Sequence, residues 1–305
     1  MIRLAFVNCR KYNGYGLAII VVLAAGFLYL SANSCDAPHR SVVVFAPHPD
    51  DEVLMAAGVI QTALKEKVEI TVVVISNGDR EGGPRMGYKR MAESIEGLQC
   101  LGVKEDQVVF LGYGDQMLQR LYETSEPDFC LVTRSGRKKM TYANRGRGGT
   151  DFHSSWAGKP AEYTRNNILA DIRQVLETFH PGEIFTASRY DAHRDHVATE
   201  RLVSEALRAL YAENPAGAPV LYEALVHAPG DGEWPLSRES SNGDFRMPKS
   251  MYQTPAVWES MVQFPVPSPE LKYKAISAHK HQVKRKYLAF AGKTERFWKY
   301  AFPYR

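Results

Sequence analysis

Two short polar runs gather the side chains that hold cations and move protons: His48-Pro49-Asp50-Asp51-Glu52 and His193-Arg194-Asp195-His196. The first puts one imidazole and three carboxylates on a single turn. Pro47 and Pro49 fix φ and push the residues before them toward extended geometry, so that turn is stiff. Carboxylates crowded onto a stiff turn repel one another unless a cation neutralises them, and a metal ion meets that need. On their own, the acidic residues would also suit the positive end of a following helix. His48 beside them is what favours the metal.

Both runs fall where a strand gives way to a helix. Val42–Phe45 is short, apolar and β-branched, the mark of a buried strand, and a helical pattern follows over about 52–66. Glu183–Thr186 reads as a second such strand, and the helix beyond it carries Leu202, Val203, Ala206, Leu207 and Leu210. Ligands of open α/β sheets bind outside the carboxyl ends of the strands, so two polar turns in that position can face one another. Further strands are expected at Val68–Ile75, Val108–Leu111 and Val220–His227, with helices over about 88–101 and 164–179. The last of these stops at Pro181-Gly182, as stop signals predict. A Pro/Gly-rich connection runs to about residue 268, and helices are expected over 269–281 and 284–300, the final one basic and aromatic. A solvated face is the reading preferred for it over a membrane-surface contact.

The first residues have a different character. Arg3, Arg10 and Lys11 precede an apolar run, Leu17–Leu30, followed by small and polar residues up to Cys35. Residues 1–37 are therefore expected to form a signal-anchor or signal helix. A single N-terminal span would put the catalytic part outside the cytoplasm, since positive residues stay inside. Cleavage or lipidation near Cys35 would instead give a secreted protein or a lipoprotein. Residues 38–305 suffice for one α/β domain, interrupted by a long irregular insertion at about 122–163. The net charge of +4 is mild, and no nucleic-acid partner is expected. Four cysteines form no CxxC pair, which argues against a cysteine-built zinc site; Cys100 and Cys130 could pair outside the cytoplasm.

With Ala46-Pro47 in front of it, the first run resembles the first signature of the LmbE-like (PIG-L) zinc-dependent de-N-acetylases, and His193-Arg194-Asp195-His196 resembles their His-x-Asp-His signature. A weaker C-terminal pattern, Lys-x-x-Ala-x-x-x-His-x-Ser-Gln, is matched by Lys272, Ala275, His279 and Gln282, with His281 in place of the serine. The resemblance implies a Rossmann-like, mostly parallel sheet with helices on both faces, and hydrolysis of the acetamide of an N-acetylated sugar. It implies a zinc ion, or another divalent metal, held by His48, Asp51 and His196. It gives Asp50 the part of general base, His193 that of a cationic oxyanion stabiliser, and Asp195 that of holding His193. Catalytic zinc commonly has three such protein ligands and keeps one position for water, whose pKa it lowers.

Other residues are candidates for substrate contact. Arg90 and Glu93 match an Arg-x-x-Glu pattern of the family, though they could equally form a surface i,i+3 ion pair. Asp115 stands where the family carries a pocket acid. Within the insertion, Tyr142, Asn144, Arg145 and Trp156 suit a sugar, which is stacked by aromatic rings and bonded at its hydroxyls. A solvated insertion is the competing reading, and His153 is a weaker candidate ligand. Two alternatives to sugar de-N-acetylation stand open: hydrolysis of another N-acyl substrate, and a non-catalytic module that holds a structural metal. A nucleotide-binding version is weak, because no GxGxxG follows the first strand. Retention of both the base and the oxyanion histidine argues against a merely structural ion.

Overall fold

The central strand, β1 (Ser41–Ala46), is buried along its whole length. Its side chains alternate between two cores, as the pleat requires. Val42, Val44 and Ala46 face one core, filled from α1 (Asp51–Lys65), α2 (Pro84–Leu101) and α7 (Pro269–Ala278). Val43 and Phe45 face the other, filled from α3 (Leu118–Glu123), α4 (Phe152–Ala157), α5 (Arg165–Phe179) and α6 (Arg194–Tyr211). Covered on both sides, the strand has no polar face, which is why it reads as an unbroken apolar run.

β2 (Glu69–Ser76) and β3 (Val108–Tyr113) extend the sheet to one side of β1; β4 (Glu183–Ala187) and β5 (Val220–Ala224) extend it to the other. All four join in parallel. The order is β3-β2-β1-β4-β5-β7-β6, with β7 (Thr294–Tyr300) and β6 (Met261–Pro265) antiparallel at the edge. The direction of winding reverses between β1 and β4, which lie side by side with Val42 opposite Glu183. The two polar runs leave the sheet at the carboxyl ends of these neighbouring strands, the switch point where such sheets bind ligands.

This computed structural model describes residues 40–133, 139–228, 261–282 and 284–304. The expected anchor helix within residues 1–37, the basic run at 134–138 and most of the Pro/Gly-rich connection lie outside them. Among the described residues no helix is long and apolar enough to cross a membrane. Cys100 and Cys130 are free thiols.

The chain end differs from the sequence expectation. Residues 284–300 are not a helix but a 3₁₀ turn, Arg285–Phe290, followed by β7. Gly292 separates the two. β7 pairs on both sides, and its Phe297 packs against Phe185 and Phe264 at ring-centroid distances of 5.0 and 5.5 Å. Pairing on two sides and aromatic packing override the helical spacing of the basic residues.

Glu295 on β7 reaches α1. It accepts from the backbone N–H groups of Gly58 (2.7 Å) and Val59 (3.1 Å), and from Lys272 Nζ (2.6 Å). The helix is kinked just before this point, at Ala56 (φ −133°, ψ 15°), as expected where a side chain enters the hydrogen-bond ladder. A Cβ on Gly58 would lie 2.9 Å from both Glu295 Oε2 and Val266 Cγ2, so any side chain there would have to displace them.

Candidate metal centre

His48 stands on the turn after β1, Asp51 opens α1, and His196 lies in the first turn of α6; all three are buried. Asp51 Oδ2 is 3.0 Å from His48 Nδ1 and 3.1 Å from His196 Nε2. Each ring has its other nitrogen against a carboxylate. His196 Nδ1 is 3.1 Å from Asp191 Oδ2, while His48 Nε2 is 3.4 Å from Asp195 Oδ2 and 3.5 Å from Asp115 Oδ1. With protons kept on those outer nitrogens, a metal that displaced the inner ones would meet lone pairs on His48 Nδ1 and His196 Nε2, both turned toward Asp51. His196 Nε2 is buried without an aligned hydrogen-bond partner. An orphaned ring nitrogen beside a carboxylate and a second imidazole is a donor set that suits a divalent metal ion; His196 offers a ligand atom within 4.8 Å of those of His48 and His193, and within 4.8 Å of those of Asp51 and His227.

The charges are strongly coupled. Burial pulls the His48 imidazole down, but Asp115, Asp195 and Asp51 outweigh it and hold it well above its usual value. Burial likewise opposes His196, yet Asp51 and Asp191 push it up to about 10. Asp51 is held well below the carboxylate range by His196 and His48, against its own burial. Asp50 goes the other way: burial, with the Asp51 charge adding and Arg90 opposing, pushes it up to about 7.

Asp50 has a strained backbone, with φ 134° and ψ −27° at a non-glycine residue. Such conformations persist where the surroundings fix them. Its N–H donates to Glu52 Oε2 at 2.9 Å, and Glu52 Oε1 lies 3.2 Å from His279 Nε2. Arg90 donates to Pro49 O at 2.9 Å, to Gly78 O at 3.1 Å and to Asp50 Oδ1 at 3.3 Å. The C-terminal pattern thus supports the first: His279 braces the turn through Glu52, and Lys272 braces the kink of α1 through Glu295. Arg90 and Glu93 do not pair with each other. Arg90 is buried under the first turn, and Glu93 binds His281.

His193 packs against His48 and His196, with ring centroids 4.8 and 4.9 Å away. The bond expected from Asp195 to His193 is not formed. Asp195 instead faces His48 and accepts from Gln119 N at 3.3 Å, and His193 Nδ1 has no partner. His193 caps α6 and Asp195 follows two residues later, a spacing at which side chains on a helix point apart. Burial, then the His48 and His196 cations, push His193 down to about 4.

Asp191 escaped the sequence reading. It accepts from the backbone of His193 (2.8 Å), Val226 (2.9 Å) and His227 (2.9 Å) while facing His196, so it ties the second run to the end of β5. His227 is the second residue missed; its ring can join Asp51 and His196 as a further donor.

A cavity of about 370 Å³ opens over these groups, the size of a small-ligand site. His48, Asp50, Asp51, Arg90, Asp115 and His193 line it. Arg145 and Trp156 do not. Arg145 makes a two-point ion pair with Glu105, both contacts 2.9 Å, near the opposite end of β3. Trp156 donates to Asp171 at 3.0 Å, and His153 Nδ1 lies 2.7 Å from the same carboxylate. Tyr142 supports the site from behind, donating to Asp79 Oδ2 at 2.7 Å, while Asp79 Oδ1 accepts from Asp115 N at 3.0 Å.

Solved structures share this architecture. The N,N'-diacetylchitobiose deacetylase from Pyrococcus horikoshii, complexed with an inhibitor, aligns over 96% of this chain and 95% of its own at 16% identity and a TM-score of 0.51. The zinc-inhibited form of teicoplanin deacetylase aligns over 85% and 97% at 16% identity and a TM-score of 0.50. A deacetylase–teicoplanin complex covers the same shares at 18% identity, also with a TM-score of 0.50. At these identities the likeness is one of fold. No curated protein sequence matches the chain. The model of the PIG-L family, described as GlcNAc-PI de-N-acetylase, matches residues 43–207, from within β1 to the last turns of α6 and more than half of the sequence. The chain belongs to the PIG-L family.

Proposed function

We propose that this protein hydrolyses the acetamide of an N-acetylated amino sugar, releasing acetate and a free amine, with a divalent metal, most simply zinc, held by His48, Asp51 and His196. The observation that carries the reading is the convergence of His48 Nδ1 and His196 Nε2 on Asp51 Oδ2, at 3.0 and 3.1 Å, beside the strained Asp50. Family membership and the deacetylases of like fold support the same chemistry.

Zinc, when bound, would supply Lewis acidity, polarising the acetyl carbonyl and lowering the pKa of water. The chain supplies the rest. Asp50, pushed up to about 7 and facing the cavity, is matched to proton transfer near neutral pH. It takes a proton from water as the water oxygen bonds to the acetyl carbon, and returns it to the nitrogen as the C–N bond breaks. Arg90 holds Asp50 in place. An imidazole N–H of His193 donates to the oxygen on which charge develops, the task of an oxyanion donor. Asp195 and Asp115 face His48 and fix which of its nitrogens carries the proton; Asp191 does so for His196.

Acetate release from N-acetylated glycans and glycolipids, with and without chelator, tests this. Release that chelation abolishes and zinc restores is the expected outcome. Release of a different acyl group from an amine would move the substrate to the wider N-acyl class, and no release from any of them would leave a binding module. We also propose, from Arg3, Arg10, Lys11 and Leu17–Leu30 alone, that the domain works on the outer side of a cytoplasmic membrane. A reporter fused after Arg305 and active only in the cytoplasm would overturn that.

A further inference from the structure

His281 departs from the family pattern, which has serine at its place, and neither metal binding nor the acetamide chemistry uses it. Its backbone N–H donates to Glu93 Oε2 at 3.3 Å, and its Nδ1 lies 2.6 Å from Glu93 Oε1. Glu93 is only 6% exposed and sits on the rigid helix α2, so both contacts are held from a fixed point. The His281 side chain is 37% exposed and lines the same cavity as Asp50 and Asp51. Its Nε2 has no hydrogen-bond partner among the described residues. A serine hydroxyl could answer Glu93, but it would end there. The imidazole answers Glu93 with one nitrogen and carries a second one beyond it.

We infer that His281 is a specificity-determining residue that contacts the sugar, its Nε2 sharing a hydrogen bond with a ring hydroxyl of the N-acetylated substrate. Glu93 makes this an oriented contact. A carboxylate at 2.6 Å accepts the Nδ1 proton, which leaves Nε2 turned away from Glu93 to meet a hydroxyl, a group that can both donate and accept. The buried carboxylate also fixes the ring, so little side-chain freedom is lost when the substrate binds. The inference rests on the sugar-deacetylase reading above and adds to it the means by which one sugar is told from another.

The test compares the full-length protein, His281→Ser and His281→Ala on N-acetylglucosamine and its monodeoxy analogues. One hydrogen bond to a hydroxyl is worth about a tenfold change. His281→Ser should raise KM about tenfold, with kcat and zinc content unchanged. One deoxy analogue should lose a similar factor with the wild-type protein and nothing further with His281→Ser. Deoxy losses that are the same with and without His281 overturn the inference, as does a fall in kcat at constant KM. If the wild-type protein releases no acetate from these sugars, the deacetylase reading fails for them, and calorimetric binding of the same sugars decides the contact separately. Equal affinity for wild type and His281→Ser, or no binding at all, then overturns the inference.

Discussion

Replacing Glu295 by alanine removes one acceptor from three buried donors. Lys272 is 1% exposed, and its ammonium loses its 2.6 Å partner; the N–H groups of Gly58 and Val59 lose theirs inside a kinked helix. Breaking a buried ion pair from one side costs about 3–5 kcal/mol, because the remaining charge stays buried. Each orphaned N–H adds a part of the roughly 1–3 kcal/mol that an unmade buried hydrogen bond costs. The losses overlap where relaxation or water meets more than one donor, so about 4–6 kcal/mol is expected, a large share of the roughly 5–15 kcal/mol that holds a typical domain folded. Urea unfolding followed by circular dichroism reads this as a lower midpoint at a similar slope. Adding Lys272→Met to Glu295→Ala removes the stranded charge and should recover about 2–3 kcal/mol. A loss below about 1 kcal/mol for Glu295→Ala, or no recovery in the double variant, would refute the idea that this pair braces α1.

Three further substitutions separate the groups at the site from those away from it. Gly78→Ala puts a Cβ onto the Arg90 guanidinium at a φ of +64°, so it should destabilise by about 1–2 kcal/mol and slow acetate release with zinc content unchanged; an unaltered rate would show that Arg90 need not hold Asp50. Arg145→Ala and Trp156→Phe should each cost no more than about 1 kcal/mol and leave kcat and KM as they were, since their partners are Glu105 and Asp171; a several-fold rise in KM would return the insertion to the substrate site.

The sequence showed most clearly what is local. His48 and Asp51 sit on one turn and His196 on another, and a strand followed by a helix at each was enough to put both at the carboxyl ends of a parallel sheet. What it could not show is which distant group claims each side chain. Arg145 and Trp156 have the chemistry of a sugar site, yet Arg145 is taken by a carboxylate 40 positions away and Trp156 by one 15 away. Arg90 and Glu93 have the spacing of an ion pair, but Pro49 and Asp50 draw one to the first turn and His281 draws the other, 188 positions along the chain. Asp191 is near His193 and His196 in sequence, but its tie to backbone N–H groups 35 and 36 residues later could not be read from spacing. The aromatic and basic residues after Gly292 kept a helical rhythm until pairing with β5 and β6 made them a strand.

The division of labour between the adjacent aspartates is the centre of the account, and zinc content measured beside acetate release tests it. Asp51→Asn keeps the shape of the side chain and loses its charge, so zinc should bind more weakly, with excess zinc restoring part of the activity. Asp50→Asn should retain zinc as the wild-type protein does while losing about 10²–10⁴-fold in rate, the usual worth of a positioned general base, and added zinc should not help. An Asp50→Asn protein that has lost its zinc and recovers activity when zinc is added would contradict the account.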